Sequence, residues 1–245
     1  MSLATTVHLS ALAVSGLITL TRLPQAIKGR NPLLFWALLM LTVAIALANS
    51  AIYLAVDNVL GGINIANLII RFAMYGFVLI LGLKASVAFR SPLAGKCIGG
   101  SIGLAVLGVL AVLMVVLFVL ADMPSSSPGL RDYAQQLPVI LYTALGRAYP
   151  AYVSACLIGP AFATAAHRRR PALIRTASAL IALGLSGAVL YALQDHTPWD
   201  VSPWDHLVPY SALISCTLGL ALLGGRRMAL NREEKQTRLT QTYVR

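Results

Sequence analysis

Two arginines stand inside apolar runs, Arg71 within Leu68-Ile69-Ile70-Arg71-Phe72-Ala73-Met74 and Arg147 within Ala144-Leu145-Gly146-Arg147-Ala148-Tyr149-Pro150. In the middle of a membrane helix an arginine costs about 2.5–3.5 kcal/mol on insertion scales, so it turns toward a partner or an aqueous cavity. A guanidinium with no acid beside it is a receptor for a carboxylate or a phosphate, gripped through two parallel N–H donors. Neutral hydrogen-bonding groups gather in the same stretches: Asn49 and Tyr53, Asn64 and Asn67, Tyr142 and Tyr149, with His8, Ser50, Thr143 and Tyr210 nearby. Pro150 removes a backbone donor beside Arg147 and frees the carbonyl of Gly146, a device found where a helix bends around a cavity. Two readings stay open. Either these residues line an externally open, electropositive pocket for an anionic small molecule or lipid head group, or each arginine bonds to neighbouring helix carbonyls and side chains and only fixes the bundle.

The elements that must hold these residues are apolar helices. Of 245 residues, 58% are apolar and 11% charged, less than half the charged share of a soluble domain. Hydropathy predicts seven spans, at about 3–21, 33–56, 62–83, 97–121, 137–159, 173–193 and 207–225. Residues 1–225 thus form a seven-transmembrane-helix bundle, an all-α polytopic fold, and 226–245 a short basic tail. The leader has no basic residue before the first apolar run, which predicts an uncleaved first helix rather than a signal peptide.

Charge sets the orientation. Sixteen of the nineteen lysines and arginines fall in the odd-numbered loops and the tail, among them Arg168, Arg169, Arg170, Arg226 and Arg227. Asp57, Asp122, Asp132, Asp195, Asp200 and Asp205 fall on the other side. The positive-inside rule then puts the tail in the cytoplasm and the N-terminus outside, in a plasma membrane. The net charge of +11 is accordingly a topology signal, and no nucleic-acid partner is expected. Counted from the outer side, Arg71 and Arg147 sit at matching depth, about 13–15 Å down. Asp57 is nearer the surface, reachable only by snorkelling.

Most catalytic constellations are excluded, and no enzyme is expected. Gly184-Leu185-Ser186-Gly187 is similar to the serine motif of rhomboid proteases, but the later histidines, His196 and His206, lie in an external loop, so helix packing is the simpler role. The last span has no lysine for a retinal Schiff base, and no carboxylate lies deep in any span for a proton relay. The loop Asp195-His196-Thr197-Pro198-Trp199-Asp200-Val201-Ser202-Pro203-Trp204-Asp205-His206 reads as an external, tryptophan-anchored segment, not a metal site. Cys97, Cys156 and Cys216 read as small packing residues, and no cofactor is implied.

The stretches Arg30-Asn31-Pro32, Tyr53-Leu54-Ala55-Val56-Asp57 and Gly62-Ile63-Asn64-Ile65-Ala66 resemble a group of actinobacterial seven-span membrane proteins catalogued as candidate transporters, some with an extra cytoplasmic C-terminal domain that has no counterpart here. Leu23-Pro24-Gln25 is similar to the Pro-Gln signature of PQ-loop and SWEET-type sugar carriers, although the second repeat would need Pro-Gln where this chain has Pro160-Ala161. The resemblance implies a small-solute transporter and no transferable catalytic residue. The alternative is a seven-helix receptor, sensor or accessory subunit working through a cytoplasmic or membrane partner. Gly99-x-x-x-Gly103 would also permit a homo-oligomer.

Overall fold

The computed structural model describes residues 3–29 and 32–194, and single residues between 208 and 222. The expected last span, the Asp195–His206 loop, Tyr210 and the tail lie outside or largely outside the described residues, as does the side chain of His8. What is described is helical: α1 (Leu3–Ile27), α2 (Pro32–Leu47), α3 (Ser50–Val59), α4 (Ile65–Ala88), α5 (Pro92–Gly99), α6 (Ser101–Leu120), α7 (Leu137–Ala166) and α8 (Ala172–Gln194), with a short 3-10 turn at Pro128–Tyr133. Among the described residues, three stretches are long and apolar enough to cross a bilayer: Ile65–Ala88, Pro92–Leu120 and Ala172–Leu193. The pair α2 and α3 makes a fourth if counted as one span. α7 is longer but more polar, carrying Arg147, three prolines and three tyrosines.

One predicted span is broken. A single helix was expected over about 33–56, whereas α2 and α3 meet at a 98° bend. The cause is local. The side chain of Asn49 accepts the backbone N–H groups of Ala51 (3.0 Å) and Ile52 (3.4 Å), which in a continuous helix would reach back to Leu47 and Ala48. Asn49 is extended (φ −79°, ψ 124°) and caps a new helix. The Leu23-Pro24-Gln25 segment lies within α1 rather than after it, with Arg22 Nη1 donating to Gln25 Oε1 at 3.2 Å.

The chain divides into two compact units, 1–88 with 92–153, and 89–91 with 154–245. In the first, α2 packs against both α1 and α4. Thr19 and Thr42 join hydroxyls at 2.9 Å across α1 and α2. Leu47, Tyr53 and Ala66 form a buried cluster with Val43, Ile52, Val56, Ile69 and Ile70 around it, which fixes α3 against the start of α4. In the second unit Gly184 approaches Cys216 and the carbonyl of Ala212 so closely that a Cβ would collide with both, so the Gly-Leu-Ser-Gly segment is a packing contact. Ser186 of that segment donates to the carbonyl of Ala182 at 2.9 Å, an ordinary in-helix bond.

Candidate functional site

The site is built from α4 and α7, which run in the same direction. Tyr142 donates to Asn67 Oδ1 at 3.1 Å, Gly146 meets Arg71, Tyr75 donates to the carbonyl of Leu145 at 2.6 Å, and Gly82 meets Val153. Residue numbers rise together on both helices, so the pair is parallel. This contact brings Arg71 to the level of Gly146, the residue preceding Arg147.

Arg71 is the seventh residue of α4, half-buried, with its guanidinium carbon 5.6 Å from the centroid of the Tyr142 ring. That is cation–π distance, a favourable contact of about 0.5–2 kcal/mol. Its other side lies on Gly146, where a Cβ would stand 2.5 Å from Nη1 and 2.8 Å from Cζ. A side chain at this position would have to displace the flexible end of Arg71. Below, Tyr75 and Tyr149 pack with ring centroids 5.0 Å apart, and Tyr149 and Tyr152 stack at 6.3 Å. Among the described residues no ion pair of Arg71 with a carboxyl group is seen, and Asp57 is engaged at the start of α4. The result is a cation held between an aromatic ring and bare backbone, with its charge uncompensated by any described acid.

Asp57 is fully buried. Its Oδ1 accepts the N–H of Ala66 at 2.9 Å; its Oδ2 accepts the N–H of Asn64 at 2.8 Å and the hydroxyl of Ser126. Two of the orphan donors at the start of α4 are satisfied this way, so the carboxyl caps that helix instead of snorkelling toward an arginine. Asn64, also fully buried and at φ 66°, accepts the Tyr53 hydroxyl (2.9 Å) and the N–H of Ser127 (2.7 Å), and donates to the carbonyl of Ser125 (2.8 Å).

The structure therefore sorts the expected site residues into groups. Arg71, Asn67 and Tyr142 come together, with Tyr149 beneath them. Tyr53 and Asn64 belong to the cap at the start of α4. Asn49 is used at the α2–α3 bend. Arg147 is half-buried and engaged by neighbours of its own. Pro150 does not interrupt α7, which continues to Ala166, although the division between the two units falls just beyond it, after Val153. Tyr75, Ser126 and Ser127 were not singled out from sequence, and Gly146 entered only as the carbonyl freed by Pro150. Tyr75 is four residues from Arg71, one helical turn on the same face, and that spacing was the available signal.

No family model matches the chain, and neither a curated protein nor a solved structure matches it.

Proposed function

We propose that this chain is an integral membrane protein that binds a small anion on Arg71 and moves it across the bilayer, a permease-like carrier open toward the external side. The reading takes the protein as seven-spanning, with its N-terminus outside, its tail cytoplasmic and the plasma membrane as its site. The observation that carries it is the placement of Arg71: on a helix apolar and long enough to span, half-buried, seated between the Tyr142 ring and Gly146, and paired with no described acid. A guanidinium so placed retains its affinity for a carboxylate or phosphate. The one-sided distribution of lysine and arginine supports the orientation, and the resemblance over residues ~30–70 supports transport over other roles.

The test is the thermal stability of the detergent-purified protein against a panel of carboxylates, phosphates and anionic lipids, for wild type, Arg71→Gln and Arg147→Gln. A ligand at a hundred times its dissociation constant stabilises by about 2.7 kcal/mol. A shift seen in wild type and lost in Arg71→Gln is expected, and flux into vesicles then distinguishes carriage from sensing. If no anion shifts wild type and both variants are merely less stable, the arginines are structural and the accessory-subunit reading takes over.

A further inference from the structure

We infer that the segment from Asp122 to Gln136 is a preformed lid over the outer end of α4 and α7, latched shut by Asp57 and Asn64. Its bonds fall into two sets. One set is internal. The side chain of Gln136 clamps the two ends, accepting from Asp122 N–H at 3.1 Å and donating to the Asp122 carbonyl at 2.7 Å. The Tyr133 hydroxyl binds Ser125 at its N–H (3.1 Å), Oγ (2.8 Å) and carbonyl (3.0 Å). Ser127 accepts the N–H of Leu130 on its carbonyl (2.9 Å) and that of Asp132 on its hydroxyl (3.2 Å). These bonds make the segment a compact loop with its own shape.

The second set joins that loop to the rest of the unit, and among the described residues its hydrogen bonds come from three consecutive serines, beside the packing of the 3-10 turn on α3 and α4. Ser125 accepts from Asn64 Nδ2, Ser126 donates to Asp57 Oδ2, and Ser127 donates its N–H to Asn64 Oδ1. All three converge on two buried residues seven positions apart. Breaking them leaves every internal bond intact, so the loop would lift as a body once Leu130 and Met123 also leave their buried positions. Leu130, the apolar residue in this turn, is buried to 2% exposure, so lifting the loop brings it out to solvent.

Asn64 lies one residue before α4 and seven before Arg71, about two helical turns along the same helix. On the anion-site reading proposed above, the lid is the outer gate of that site. The lid itself is testable without any solute. In a background with Cys97, Cys156 and Cys216 replaced by alanine, a single reporter, Leu130→Cys or Met123→Cys, is reacted with a water-soluble methanethiosulfonate in detergent. Both positions are buried in the closed lid.

Ser126→Ala removes one attachment and no internal bond. Asp57→Asn keeps the shape of the latch but cannot accept from all three partners. We expect each to raise the labelling rate of both reporters at least tenfold, with Gln136→Leu giving a different pattern because it loosens the ends instead. Ser126→Ala serves where Asp57→Asn fails to fold. Labelling unchanged by Ser126→Ala and by any folded Asp57→Asn would overturn the inference and make the loop a fixed seam. Fast labelling in the latch variants, with no anion shifting the thermal stability of wild type, would leave the lid standing and remove the anion site beneath it.

Discussion

Arg71 and Gly146 are in direct contact, side chain against bare backbone, with 2.5 Å between the guanidinium Nη1 and the position a Cβ on Gly146 would take. This contact joins two helices of like direction and leaves the arginine supported from below and from one side by an aromatic ring. Several consequences are measurable.

Gly146→Ala separates positioning from stability. In an unencumbered helix the change stabilises by about 0.5–1 kcal/mol. Here the added methyl must push aside the flexible end of Arg71, so folding stability should stay within about 1 kcal/mol of wild type, while anion binding weakens tenfold or more. Denaturant or thermal unfolding read beside a binding titration checks both halves. An unaltered titration would show that the guanidinium is not the receptor.

Tyr142 contributes a hydroxyl and a ring, and two substitutions divide them. Tyr142→Phe keeps the ring under Arg71 but orphans Asn67 Oδ1, costing about 1–3 kcal/mol of stability with little change in anion affinity. Tyr142→Leu also removes the cation–π contact and should weaken binding further. Equal affinities for the two variants would assign the ring no part in holding Arg71.

Asn64 combines a left-handed backbone with three side-chain hydrogen bonds. Asn64→Gly loses the bonds and keeps the conformation; Asn64→Ala loses both. Alanine should therefore be the worse replacement by about 1 kcal/mol, reversing the order seen inside ordinary helices. The comparison needs only melting temperatures of the two variants.

At the α2–α3 bend, Asn49→Ala should cost about 0.5–2 kcal/mol and Asn49→Asp much less, since only the latter retains an acceptor for the N–H groups of Ala51 and Ile52. A spin-label distance between Leu33→Cys and Val59→Cys would report whether the bend survives. Because Tyr53 is tied to Asn64, the bend should persist in both variants.

Legibility from sequence followed sequence distance. Arg71 stood out because a charge in an apolar run is conspicuous, and Asn67 and Tyr142 because polar groups near it are few. The bend at Asn49 was hidden, since Ala51, Ile52, Leu54, Ala55 and Val56 continue the apolar run and nothing in the composition marks an asparagine as a cap rather than an in-helix residue. Asp57 read as a surface acid on its position alone. Its partners include Ser126, 69 residues downstream, a separation that no local pattern reveals. The value of Gly146 was invisible for the same reason. A glycine in an apolar helix has many packing roles, and only the parallel register of α4 with α7 selects this one.

That parallel register has a consequence for biosynthesis. Asn67 and Tyr142 are 75 residues apart, so at about 5–20 residues per second the ribosome needs about 4–15 s to make α7 after α4 has been made. During that interval Arg71 has neither its aromatic partner nor its glycine seat. α4 must be admitted to the membrane on its own account, arginine included. Its twelve leucine, isoleucine, valine and phenylalanine residues supply at most about 4–7 kcal/mol toward insertion, against about 2.5–3.5 kcal/mol for a central arginine and the further cost of Asn67 and Lys84. Until α7 is made, the apolar run of α4 is what offsets the cost of Arg71, and its aromatic and glycine neighbours arrive afterwards.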